Sequence, residues 1–168
     1  LPLQEDARCR PLSPYGVTKL AAENLSLLYE RNHGLPVVCL RYFTVYGPRQ
    51  RPDMAFTRMV TSLAEGLPFE LYGDGTQSRS FTYVGDVVDA LVRLVQEPRA
   101  VGQVFNIGNT GEISILDLAQ KVRTMTGSSS EIVLIPYDEA YEEGFEDMPR
   151  RVPDLRKRRV RIIGDPLV

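Results

Sequence analysis

Cysteine and histidine are scarce in this chain, which carries only Cys9, Cys39 and a single histidine, His33. Two cysteines build no disulfide framework and point to a reducing, cytoplasmic compartment. Cys39 lies in the apolar run PVVCLRYF, where a small hydrophobe belongs, while Cys9 falls in a polar loop. So few soft ligands give no basis for a metal site of His and Cys. His33 beside Gly34 instead reads as the last turn of a helix, where a cation suits the dipole. Long apolar runs are also missing, since none approaches the roughly 18 residues of a membrane span. The opening LPLQEDARCRPLSPYG lacks the charged-then-apolar pattern of a signal peptide. Charge of one sign is not in excess: 20 basic against 22 acidic residues leave a net charge of −2. That balance offers no electrostatic footprint for nucleic acid or an anionic membrane. The first residue is Leu1 rather than methionine and the chain enters on loop-like sequence, which suggests a processed or partial chain.

What is present is an ordinary globular composition. The 168 residues are 43% hydrophobic and 25% charged, enough for one domain or the larger part of one. Ser13 reads as an N-cap with Pro14 at the first helical position, and Leu20, Ala21, Leu25 and Leu28 give an apolar stripe that Gly34 ends. PVVCLRY, residues 36–42, fits a buried parallel strand. GPRQRPD is a loop, MAFTRMVTSLAEG a short amphipathic helix, and PFELYGDG a strand running into a Gly-Asp-Gly turn. RSFTYV alternates like one strand, after which Asp86 is expected to cap a helix over 87–96. QVFNIGN and EIVLIP read as strands, with a helix from Ser114 to Thr126 between them; Ser114 and Asp117 make a variant capping box. YDEAYEEGFEDMPRR is expected to be irregular, and Asp154 to cap a short basic helix. Strands alternating with helices define an α/β class with parallel pairing. Six acidic residues in 138–147 and seven basic ones in 150–161 read as two solvated surfaces. No aromatic residue interleaves the arginines there, as nucleic-acid stacking would need.

Tyr15 and Lys19, four apart at the start of the first helix, fall on one face. A free tyrosine, with a pKa of about 10, is a poor base. A neighbouring ammonium and the positive end of a helix dipole both favour the phenolate and make it usable for proton transfer. A surface tyrosine stacked on a lysine stem gives the same spacing.

PLSPYGVTKLAAE, LRYFTVYGPRQRPD, YGDGTQSRSFTYVGDVVDA, VFNIGN and RRVPD follow one another in order. Together they resemble the extended short-chain dehydrogenase/reductase family, and within it the NAD-dependent nucleotide-sugar epimerases and dehydratases typified by UDP-glucose 4-epimerase. The resemblance covers about residues 1 to 165. It implies a Rossmann-type doubly wound sheet with a small α/β substrate domain. Residues 1–48 would be the last elements of the dinucleotide-binding domain and 49–168 mostly the nucleotide-sugar domain, with strand 103–108 returning to the first sheet. It implies Tyr15 as catalytic acid/base at the sugar 4-hydroxyl and Lys19 as holder of the nicotinamide ribose, with Tyr42 and Phe43 beside the NAD. Thr44 stands where the family usually has an asparagine that touches substrate. Arg79 matches the arginine that grips the diphosphate, Asn106 a further phosphate-side contact, and Arg151 with Asp154 a pair for diphosphate and ribose. Plain alternatives stand beside these roles: Arg79 can pair with Asp74 or Asp86, Asn106 can satisfy backbone at a strand end, and Arg151 can simply be solvated.

The implied reaction is proton removal from the 4-hydroxyl with C4 hydride transfer to NAD, giving a 4-keto sugar. UDP-glucuronate decarboxylase and dTDP-glucose 4,6-dehydratase activities fit the same residues, as does a non-catalytic nucleotide-sugar-binding or interaction module. NAD(P)-linked redox sensing is a further alternative, against which Tyr15 with Lys19 argues weakly. The family's Gly-rich cofactor turn is absent: GDG at 73–75 and GNTG at 108–111 lack its spacing and setting. The chain therefore reads as the C-terminal half of such an enzyme, inactive alone and a weak NAD binder. Strand 36–42 would then lose neighbours, so an oligomer or association with an N-terminal portion is expected.

Overall fold

The computed structural model describes residues 2–140 and 148–157. Helix α1 spans Pro14–His33. Ser13 Oγ caps it by accepting from the Gly16 N–H at 3.1 Å, and Gly34 closes it at φ 65° with its N–H on the Glu30 carbonyl. The expected apolar stripe exists in sequence but is not covered: no residue of α1 is buried, and Leu25 and Leu28 are exposed.

Strand β1 (Cys39–Tyr42) is shorter than the run 36–42 and pairs in parallel with β6 (Val104–Ile107). Among the described residues no other strand flanks β1. Helix α3 (Val84–Val95) packs on this pair and places Val87, Ala90 and Leu94 against Phe105 and Ile107. Val95, the last residue of the helix, is exposed. The helix begins earlier than the expected 87. Tyr83 is the N-cap without a side-chain bond, so Asp86 lies in the first turn, where its charge suits the dipole, rather than capping.

A second core lies between α2 (Ala55–Ala64), α4 (Ile115–Thr126) and the parallel pair β3 (Phe69–Tyr72) and β8 (Ile132–Ile135). Met59, Leu63, Phe69, Leu71, Ala119 and Val122 fill it. Ser114 caps α4 as expected: its Oγ accepts from the Asp117 N–H at 3.0 Å and donates to the Asp117 carboxylate at 2.6 Å.

RSFTYV is not one strand. β4 (Ser78–Arg79) and β5 (Thr82–Tyr83) belong to different sheets. Between them Ser80 is fully buried and its hydroxyl donates to the Asn109 carbonyl, which pulls the chain across. β5 pairs in parallel with β2 (Val45–Tyr46). β4 sits between β7 (Ile113–Ser114), antiparallel, and β9 (Arg150–Arg151), parallel. The stretch after β8 starts as a short helix, α5 (Tyr137–Ala140), where irregular chain was expected. Residues 141–147 and 158–168, with most of the acidic run and the end of the basic one, lie outside the described residues.

The segment 148–157 holds these parts together. Leu3 exchanges backbone bonds with it: the Leu3 N–H donates to the Val152 carbonyl and the Asp154 N–H to the Leu3 carbonyl, both at 2.8 Å. Arg41 Nε and Nη2 make a two-pronged bond to Glu23 at 2.8 and 2.7 Å, and Nη1 donates to the Glu5 carbonyl. These bonds fasten α1 and the N-terminal segment to β1.

Candidate functional site

Tyr15 and Lys19 sit where the capping sequence puts them, one turn apart at the start of α1. The Lys19 ammonium lies 5.3 Å from the centroid of the Tyr15 ring, within cation–π reach. Tyr15 is 71% exposed, so its phenol is open to a ligand and to water. The pair is built from a single helix turn and needs no tertiary contact to form.

A separate cavity of about 310 Å³ opens between β3, β4 and α2 and brings Thr44 and Arg79 together across 35 residues of sequence. Its wall includes Phe56 and Phe81, whose ring centroids are 5.8 Å apart, with Tyr46 packed behind them. Arg58 stands over the Tyr72 ring at 5.8 Å, and Gln50 holds the loop by donating to the Val45 carbonyl at 2.9 Å. Gly73, at φ 81°, lets Tyr137 close one side: a Cβ there would come within 2.5 Å of the Tyr137 ring. Such an apolar wall with a few convergent polar groups is the usual build of a small-molecule site. Arg79 Nη1 donates to the carbonyls of Ser78 at 2.7 Å and Met148 at 2.8 Å, which fixes the guanidinium plane.

Thr44 has φ 33°, a backbone conformation that a β-branched side chain adopts only under strain. Its carbonyl accepts from the Thr82 N–H at 3.1 Å, and the bond is part of what holds that conformation. Asparagine, the family's usual residue there, tolerates positive φ far better.

The remaining expected residues fall elsewhere. Tyr42 is 43% exposed at the C-terminal end of β1, the end of a parallel strand where ligands bind in open α/β sheets. Phe43 is 5% exposed and lies beneath Arg151, whose guanidinium is 5.5 Å from the ring centroid. Asn106 is 1% exposed and its amide donates to the carbonyls of Leu3 at 2.8 Å and Asp154 at 3.2 Å. The geometry is that of the plain alternative: Asn106 satisfies backbone and does not line the cavity. Asp154 does not line it either. Its carboxylate accepts from Arg156 Nε, Nη2 and backbone N–H and from Gln4. Those Arg156 side-chain bonds, then the backbone one, hold its pKa at about 2. Instead it borders a second, open cavity of about 630 Å³ with Leu3, Thr110, Pro153 and Arg156.

Sequence reading missed Gln50, Phe56, Arg58, Tyr72 and Phe81 as cavity residues. Gln50, Tyr72 and Phe81 stood in quoted motifs, and Phe56 and Arg58 in a stretch read only as a short amphipathic helix. Among the described residues no cluster of three or more His, Cys, Asp or Glu could hold a metal ion. No helix among them is long and apolar enough to cross a membrane.

The chain thus combines an open α/β fold with a helix-borne tyrosine and lysine and a separate arginine-bearing cavity. The chain belongs to the NAD dependent epimerase/dehydratase family, whose model matches residues 1–108. It is similar to YtcB of Bacillus subtilis, an uncharacterized UDP-glucose epimerase, with 42% identity over 130 residues, 77% of this chain and 41% of that protein. It is 40% identical over 146 residues to a UDP-N-acetyl-alpha-D-glucosaminuronate decarboxylase of Bacillus cytotoxicus, covering 85% of this chain and 45% of that one. Among solved structures it resembles UDP-glucuronic acid 4-epimerase from Bacillus cereus in complex with UDP-glucuronic acid and NAD, with a TM-score of 0.82 and 39% identity over 93% of this chain and 48% of that one. The fold is thus the Rossmann-type α/β fold of these proteins, and the chain spans about half the length of the relatives it matches.

Proposed function

We propose that these residues form the C-terminal half of an NAD-dependent UDP-sugar 4-epimerase working in the cytoplasm. The observation that carries this reading is the cavity uniting Thr44 and Arg79 in a chain that also presents Tyr15 beside Lys19. In this reading residues 1–48 and β6 serve the dinucleotide side, and most of 49–168 the nucleotide-sugar side. Arg79 and Arg151 grip the diphosphate as charge-assisted donors, and the aromatic wall holds the apolar faces of the ligand. The exposed Lys19 has three donors suited to a ribose diol, and Tyr42 at the strand end suits the nicotinamide side, with the buried Phe43 next to it in the chain.

When bound, NAD would supply hydride acceptor and donor chemistry at the sugar C4. Tyr15 does the proton work. Its phenolate takes the proton from the sugar 4-hydroxyl as the C4–H bond breaks, giving a 4-keto sugar. Tyr15 would give the proton back to the 4-oxygen once the sugar presents its other face, and the product is inverted at C4.

The test is incubation of the full-length protein with NAD and UDP-glucose or UDP-glucuronic acid, followed by NMR of the products. A C4 epimer supports the reading. The similarity to a decarboxylase favours a second one, in which carbon dioxide and a UDP-pentose appear instead. Saturable UDP binding without any turnover would leave a non-catalytic binding module.

A further inference from the structure

Ser78 and Arg79 are adjacent on β4 and face opposite sides of the sheet, as strand alternation requires. The parallel register sets Arg150 beside Ser78 and Arg151 beside Arg79. One face therefore carries Arg79 and Arg151 side by side. β9 has only two residues, too few to hold a register without help. Yet Arg79 depends on that segment, since its Nη1 donates to the Met148 carbonyl.

Beside the Leu3 backbone bonds that follow it, help comes from the other face. Glu112, just before β7, receives a two-pronged bond from Arg150: Nε to Oε1 at 2.8 Å and to Oε2 at 3.0 Å, and Nη2 to Oε2 at 2.8 Å. The Ser78 hydroxyl donates to the same carboxylate. All three strands of the β7-β4-β9 sheet thus meet at one carboxylate on the face opposite the arginine pair. We propose that Glu112 is a positioning residue for the diphosphate-gripping arginines, clamping Arg150 so that β9 keeps Arg151 beside Arg79. This rests on the nucleotide-sugar reading above. The Arg150 side-chain bonds, then the Ser78 bond, hold the Glu112 carboxyl at about 2, so the clamp stays charged at any ordinary working pH.

The experiment is calorimetric titration of the full-length protein with UDP, and with uridine as a phosphate-free control. Glu112→Gln keeps the side-chain shape but loses the charge, and is expected to weaken UDP binding about tenfold while uridine changes less than about twofold. Arg150→Gln should act alike, and the exchange Glu112→Arg with Arg150→Glu should restore UDP binding. Parent-like UDP binding in both single variants overturns the proposal, as does an equal loss for UDP and uridine, which would mark Glu112 as a general prop. If the unsubstituted protein binds no UDP, the nucleotide-sugar reading falls and this proposal with it. If it binds UDP and the single variants match it, this proposal alone falls.

Discussion

At the residue scale, Thr44 and Tyr15 make opposite demands on their surroundings. Thr44 holds φ 33° at the rim of the cavity, and such conformations cost a β-branched residue on the order of 1 kcal/mol or more. Thr44→Asn should therefore raise stability by about 1 kcal/mol, read as a higher midpoint in chemical unfolding; a lower midpoint would show that the threonine is relaxed there. Tyr15 is exposed on the first turn of α1 and makes few demands on packing. Tyr15→Phe should leave the unfolding midpoint unchanged and, under the function proposed above, lower UDP-sugar turnover by the full-length protein about 10²–10⁴-fold, the usual contribution of a general acid/base. The difference explains what could be read beforehand. Tyr15 and Lys19 are placed by Ser13, Pro14 and helix period, all local signals. The φ of Thr44 and the Asn106 bonds to residues 3 and 154 depend on partners that no local pattern names.

At the element scale, the ends of α1 and α4 were legible, and the start of α3 and the breaks in strands were not. Ser114 and Gly127 punctuate α4 through backbone chemistry within three residues, and Ser114→Ala should cost about 1 kcal/mol by removing the cap, measurable as a shift of the denaturation curve. RSFTYV alternates correctly for one strand, but its split rests on the Ser80 bond to a carbonyl 29 residues away. The strap 148–157 leans on two carboxylates, Glu112 and Asp154, each held at about 2 by arginine bonds. Both are depressed below the unfolded carboxylate range of about 4. Their stabilisation is therefore complete above about pH 4 and lost as pH falls toward 2. Thermal midpoints should drop across that window, and Glu112→Gln should flatten the drop; an unchanged slope would count against the clamp.

At the scale of the whole molecule, the two cores are unequal in what they cover. The α2–α4 cluster closes over β3 and β8, while α1 buries no residue and leaves Leu25, Leu28 and Tyr29 in water. Exposed apolar surface of this kind is found at interfaces, and β1 has a strand on one edge only among the described residues. These 168 residues alone should self-associate, and sedimentation should show a mass above that of one chain; a monomer at micromolar concentration would contradict this. The bond between Leu3 and the segment around Pro153 has a temporal consequence. Its partners stand about 150 residues apart, so among the contacts described here it has one of the largest loops to close and forms late. During synthesis the segment leading into Tyr15 must wait for residue 153 to leave the ribosome before it finds its anchor. A protein halted short of that point would carry the tyrosine and the lysine on a finished helix whose approach is still untied.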